Sequence, residues 1–291
     1  MSKDLIVIFG PTASGKSKKA IDIALNHKSS IINLDSMQVY KDLKILTDRP
    51  TEVDLGKCDH ILYGYLNGNE KNTAASWLND AVDEIKKCFL SKTLPILVGG
   101  TGMYLNALKN GLADIPDINA ATKNETQKLF DNHGLSFLYD EIKKNYSSTK
   151  IQENDRQRIL RSYSLLKQTG KVLEQWQFNT SPEIDDIDYQ ILLTTTNRDE
   201  LYPKAELRVD RMFEDVVIDE VNELLGKGYD NNLPIMKAIG VREISRLLNK
   251  EIDLEECKNI IKKNTRNYIK RQITWIKGNN ITQNIDKKKY M

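Results

Sequence analysis

Little in this chain of 291 residues suggests a disulfide scaffold, a metal centre or a membrane span. Its three cysteines, Cys58, Cys88 and Cys257, lie far apart with no C-x-x-C pair, so they read as reduced, buried thiols. The three histidines, His27, His60 and His133, lack metal-ligand spacing. No apolar stretch approaches the ~18 residues of a membrane span. The first apolar run starts at once, without a signal-peptide pattern, and a cytoplasmic location is expected. A net charge of +2 is too small to name a partner, so any nucleic-acid signal must come from local clustering. There is no repeat. What remains, 40% hydrophobic and 29% charged, is an ordinary globular composition, long enough for one large domain or two smaller ones.

The most specific feature present is Gly10-Pro11-Thr12-Ala13-Ser14-Gly15-Lys16-Ser17, a complete G-x-x-x-x-G-K-S phosphate loop. It follows a strand-like run, Leu5 to Phe9, and precedes a helical pattern at Ala20, Ile21, Ala24 and Leu25. Backbone amides of such a loop wrap a phosphate chain, Lys16 adds a point charge, and the Ser17 hydroxyl suits Mg²⁺. The motif leaves open which di- or triphosphate is bound.

A second short strand spans 30–35 and ends in Asp35; a helix spans 73–89; a third strand, Ile96-Leu97-Val98, closes on Gly99-Gly100-Thr101-Gly102. Strands alternating with helices predict a parallel sheet, with Gly10, Asp35 and Thr101 converging at its carboxyl ends. The predicted fold class is α/β, a P-loop NTPase-like parallel sheet flanked by helices with an all-helical insertion. Residues 1–113 and 188–278 form the predicted core, 114–187 the insertion and 279–291 a loosely held tail. The sheet resumes at 189–194, one long helix carries Val209 to Leu225, and a last helix runs from Leu254 to Lys277. Between Lys258 and Lys277 seven basic residues occur without an acid, while Cys257, Ile261, Tyr268 and Trp275 keep a core face. A one-sign helix face suits a phosphate backbone. Trp77, Trp275 and Tyr104 read as packing residues.

Several strings occur in a specific order: FGPTASGKS, LDSMQVY from Leu34, LVGGTGMY from Leu97, NDRQRILR from Asn154, RVDRM from Arg208, MKAIGVRE from Met236 and KRQITW from Lys270. Together, to about Gly278, they resemble the bacterial tRNA dimethylallyltransferases, the tRNA isopentenyltransferase family. The resemblance implies transfer of a dimethylallyl group from dimethylallyl diphosphate to the adenosine beside the anticodon, with Mg²⁺ as cofactor and the tRNA anticodon stem-loop as partner; the chain is taken as a monomer.

It also implies residue roles. Residues Gly10 to Ser17 would hold the diphosphate, with Ser17 on the metal. Asp35 would be the catalytic base, although spacing alone equally allows it to cap a following helix with Ser36. Ser36, Met37 and Gln38 would line the way in for the base, and Thr101 would meet it. Arg208 would reach the diphosphate opposite Lys16, with Arg211 as its rival. Lys123, Gln157, Arg158, Ile159, Leu160 and Arg161 in the insertion, and Lys270 and Arg271 in the last helix, would contact tRNA. Three strings depart from the family pattern: Thr47-Asp48-Arg49-Pro50 stands for T-A-K-P and adds an acid; Lys123 replaces a frequent arginine; and the long helix opens Leu201-Tyr202-Pro203-Lys204. The rival readings are a P-loop small-molecule kinase, a non-catalytic RNA-binding module, and an isopentenyltransferase acting on free adenylate nucleotides.

Overall fold

A computed structural model describes residues 3–177, 180–214 and 216–290. Five strands build one parallel sheet: β1 (Lys3–Phe9), β2 (Ser29–Leu34), β3 (Asp59–Ile61), β4 (Leu94–Gly99) and β5 (Ile187–Leu193), in the order β3-β2-β4-β1-β5. The apolar runs form strands because both faces are covered. Leu5, Val7 and Phe9 of β1 face one core with Ile32, Leu34 and Leu97; Ile6 and Ile8 face the other with Ile31, Ile96 and Val98. Helix α1 (Lys16–Ala24) buries Ala20, Ile21, Ile23 and Ala24 on the second face. The short α2 (Glu52–Leu55) precedes β3, an edge strand too short and polar to leave a periodic signal. Helix α3 (Ala74–Leu90) starts at a Thr73 capping box and buries Trp77 completely on the first face. Trp77 stacks on Tyr104 of α4 (Gly102–Asn110) at 4.2 Å and donates from Nε1 to the Asn33 carbonyl at 2.9 Å.

The chain divides into two compact units, one of Met1–Leu108 with Glu183–Met291, the other Lys109–Pro182. The expected insertion, 114–187, is thus shifted. The ends of the second unit meet where Gly111 (φ +78) lies so close to Ser181 that a Cβ would fall 1.9 Å from its carbonyl oxygen. Ile184 already belongs to the sheet's core. Inside the second unit, α5 (Ala120–Asn145) bends at Gly134 and packs against α6 (Arg156–Thr169) around Leu138, Ile142, Ile159 and Tyr163, and α7 (Leu173–Trp176) packs on α6.

The expected long helix after β5 is two helices, α8 (Arg198–Glu214) and α9 (Val217–Gly226). Val216 leaves helical geometry (φ −90, ψ 35) and is 59% exposed, so it does not continue the apolar face. Helices α10 (Val241–Leu248) and α11 (Leu254–Gly278) follow, then α12 (Lys287–Tyr290).

The tail is not loosely held. The backbone amide of Asn284 donates to the Ile191 carbonyl at 3.0 Å; its side chain accepts from the Ile191 amide and donates to the Tyr189 carbonyl, both at 2.7 Å. Asp286 donates to Gln190, Tyr290 and Lys289 donate to Asp4, and Ile285 and Tyr290 are buried. These contacts close the open edge of β5, a row of polar groups that needs partners. Replacing Asn284 with Ala should lower stability by ~1–2 kcal/mol, or ~2–6 °C in Tm. The Ile191 amide should exchange faster with solvent deuterium, and unchanged protection there would reject the edge-closing role.

Candidate active site

The carboxyl ends of β1, β2 and β4 open on one crevice, whose lining includes Thr12, Asp35 and Gly99; Gly10 and Thr101 adjoin these residues but are not part of the lining. Leaving β1, the chain needs glycine at once, because a Cβ on Gly10 would lie 1.9 Å from Thr194 Oγ1 after β5. Ala13 (φ 62) and Gly15 (φ 79) then turn the loop into the amide nest that anions occupy. Gly15 caps α1 with no side chain, so the first amides of that helix stay available and its positive end faces the loop. Side chains from distant segments fix the loop. Ser14 Oγ donates to the Pro11 carbonyl at 2.7 Å and accepts from Thr194 Oγ1 at 2.6 Å. Gln272 of α11, 6% exposed, accepts from the Thr12 amide at 2.9 Å and donates to the Gly100 carbonyl at 3.1 Å. Neither Thr194 nor Gln272 was singled out by sequence, where each sits beside other polar residues, Thr195 and Arg271.

The crevice holds a cavity of about 780 Å³ lined by Lys16, Ser17, Asp35, Arg208 and Tyr268 among others. Lys16 Nζ donates to the Pro11 carbonyl at 2.6 Å. Burial is the main cause that pushes its ammonium down to about 8; Asp35 and Asp48 oppose this and Arg208 adds to it. Of the two parts the sequence left open for Asp35, the structure shows the cap. Its Oδ1 accepts from the Met37 amide at 2.8 Å and the Gln38 amide at 3.3 Å, capping a turn, while Oδ2 takes no hydrogen bond among the described residues. The Ser36 amide donates to Thr101 Oγ1 at 3.1 Å, which ties the end of β2 to the end of β4.

Opposite, the segment 44–49 is clamped by one carboxylate. Glu220 of α9 accepts from the amides of Lys44, Ile45 and Leu46 at 2.5, 2.8 and 2.9 Å. Gln38, expected at the way in for a base, donates from Nε2 to the carbonyls of Thr47 and Asp48 at 2.9 and 2.8 Å. Arg208 donates to the Leu46 carbonyl at 3.3 Å and lies 3.6 Å from Asp48. Arg211 also lines the cavity but is exposed. Tyr268, assigned by sequence to the core, lines the cavity instead; burial and the Asp35 charge raise its hydroxyl, and Thr101 opposes them.

The basic stripe of α11 is smaller than its sequence implies. Lys262 pairs with Asp210 at 2.7 Å, Arg266 with Glu206, and Lys258 with Glu255 at 3.8 Å. Acids of α8, remote in sequence, neutralise part of it. Lys263, Lys270, Arg271 and Lys277 are exposed. In the second unit Lys123, Gln157, Arg158 and Arg161 are exposed, whereas Ile159 is fully buried and Leu160 packs beside it. Ile159 and Leu160 thus belong to the apolar face of α6, Ile159 fully buried and Leu160 partly so.

Among the described residues no three His, Cys, Asp or Glu side chains gather as a metal cage. The exposed Ser17 hydroxyl on the cavity wall fits a hard cation that keeps water and phosphate oxygens as its other ligands.

A bound phosphate chain favours protonated Lys16, so from about pH 7, where phosphate has shed its second proton, up to about 8 affinity should be nearly flat. Above it, binding must take up a proton, and affinity for inorganic pyrophosphate should fall by up to ~tenfold per pH unit. Titration calorimetry across pH would read this break. Its persistence in Lys16→Arg would assign it to another group.

Comparison with known proteins matches this frame. The model of the family described as IPP transferase matches residues 38–279. A tRNA dimethylallyltransferase of Pelagibacter ubique is 38% identical, covering 93% of this chain and 87% of that protein. One from Ehrlichia chaffeensis is 36% identical, covering 94% and 90%. The solved structure of a full-length tRNA isopentenylpyrophosphate transferase from Bacillus halodurans superposes with a TM-score of 0.68 at 30% identity, covering 99% of this chain and 92% of that one. A eukaryotic dimethylallyltransferase solved acting on tRNA gives 0.75 at 26% identity, with 94% and 70% covered. On sequence and on structure alike, the chain belongs to the IPP transferase family.

Proposed function

We propose that this protein transfers a dimethylallyl group from dimethylallyl diphosphate to the exocyclic amine of the adenosine 3′-adjacent to the anticodon in tRNA, releasing diphosphate. The observation that carries this reading is one cavity in which a phosphate loop with Lys16 and Arg208 faces the carboxylate of Asp35, in a chain of this family. The cations and the carboxylate serve opposite ends of one displacement. The amine nitrogen attacks the first dimethylallyl carbon. The carbon–oxygen bond breaks, and its electron pair leaves with the diphosphate. The amine proton passes to Asp35, whose Oδ1 is oriented by two backbone amides.

Loop amides, the α1 N-terminus, Lys16 and Arg208 absorb the charge of the leaving diphosphate. Mg²⁺, held by Ser17, would neutralise further phosphate charge when bound. Thr101 and Tyr268 flank Asp35 and position the adenine, which must leave the anticodon-loop stack to reach it. Lys270 and Arg271, with Lys123, Gln157, Arg158 and Arg161 of the second unit, grip phosphates. The proposed location is the cytoplasm, and the proposed state is a monomer.

Incubation with labelled dimethylallyl diphosphate and unmodified tRNA should place label on that adenosine. ATP-dependent phosphoryl transfer to a metabolite would instead support a kinase. Asp35→Asn keeps the shape and the turn but removes the proton acceptor, and should lower turnover ~10²–10⁴-fold with tRNA binding nearly intact. Near-normal turnover would leave Asp35 as a cap alone. The paired change of Lys270 and Arg271 to Ala should weaken all tRNAs alike and flatten the slope of log affinity against log salt by ~1 per lost contact. An unchanged slope would move the RNA grip to Arg158 and Arg161.

A further inference from the structure

The segment that faces Arg208 carries an acid in an unfavourable place. Residues 44–49 close as a helix C-terminus does: the Arg49 amide donates to the Lys44 carbonyl at 3.0 Å, and the Asp48 amide to the Ile45 carbonyl at 3.1 Å. In this pattern the penultimate residue takes the left-handed conformation, usually as Gly or Asn. Here it is Asp48, with φ 59. The conformation is enforced, since Gln38 holds the Thr47 and Asp48 carbonyls and Glu220 holds the three amides before them. A carboxylate is thereby fixed on the wall of a cavity built for anions, where it repels the phosphate chain.

The same geometry gives it a partner. Asp48 Oδ2 lies 3.6 Å from Arg208 Nη1; the arginine side chain is 24% exposed and the aspartate 67%. Arg208 Nη2 donates to the Leu46 carbonyl, while its buried Nε has no hydrogen-bond partner among the described residues. The guanidinium is thus incompletely satisfied and held mainly from one side, a state in which a better anion can capture it. Lys16 senses both charges, Asp48 opposing and Arg208 reinforcing its lowered proton affinity.

We propose that Asp48 is an exchangeable counter-ion of Arg208: it holds the guanidinium between turnovers, yields it to the incoming diphosphate, and reclaims it as product diphosphate leaves. Asp48 is a positioning residue that acts through Arg208. It weakens diphosphate binding and limits product inhibition. This rests on the diphosphate reading of the cavity made above.

The test is binding of inorganic pyrophosphate with magnesium to the full chain, by calorimetry. Asp48→Asn removes the charge, keeps the shape and suits the left-handed conformation, so the fold is retained; Asp48→Gly is a second variant with the same expectation. Both should bind pyrophosphate ~2–5-fold more tightly than the wild type, the span of one partly exposed ion pair. Inhibition of turnover by added pyrophosphate should tighten in parallel. A merely structural role predicts the reverse sign. In an Arg208→Ala background the gain from Asp48→Asn should largely vanish. Equal or weaker binding by both single variants, or an undiminished gain without Arg208, overturns the exchange. If the wild type binds no pyrophosphate, the diphosphate reading falls with it; if it binds and only the variants disagree, that reading stands and Asp48 alone is misassigned.

Discussion

One buried side-chain amide sets the distances on which this site depends. Gln272 joins the phosphate loop at Thr12 to the glycine turn after β4 at Gly100, from a helix almost at the other end of the chain. Both of its polar ends are used, so it cannot shift without stranding a buried donor or acceptor. Thr194 performs the same service from the end of β5. The phosphate loop is therefore not a flexible turn waiting for an anion. Preorganised amides stabilise developing charge without rearranging at the moment of reaction.

The other wall works on a different principle. Segment 44–49 seats Leu46 and Ile45 in the first core, and its backbone is held by Glu220 and Gln38. This fixes where the chain runs while leaving the side chains of Asp48 and Arg208 free to choose partners. A rigid anion cradle thus faces a wall whose charges can re-pair. Between them the end of β2 presents Asp35 with one oxygen committed and one not, a division of labour imposed by the turn it caps.

Much of this was legible in the sequence wherever a single local signal determines structure. The phosphate loop, the fully apolar strands and the strand-end position of Asp35 follow from motif and periodicity, and the sheet is parallel as read. Illegible features depend on partners distant in the chain. Nothing near Lys262 or Arg266 announces that Asp210 and Glu206 will neutralise them. Tyr268 shares its helical phase with core residues and still opens on the cavity. Ile159 and Leu160 sit within a basic string whose charge masks their burial. The tail looked loose because it is polar and its anchors, among them an asparagine side chain imitating a strand, find their partners far away in β5 and β1. Asp48 shows as an odd residue in a string, but its meaning needs the positive φ and the facing arginine.

The second unit enters the chain between β4 and β5, which both pair directly with β1. Its two ends meet at Gly111 and Ser181, so to the sheet it is a closed loop, whatever its contents. The entropy of closing a loop rises only with the logarithm of its length, by ~0.6 kcal/mol per doubling. An excursion that already begins and ends at one point can be lengthened, shortened or exchanged at little expense to the strands on either side. Such a joint lets the surface proposed to meet RNA diversify over evolutionary time, while the strand ends that carry the chemistry keep their spacing.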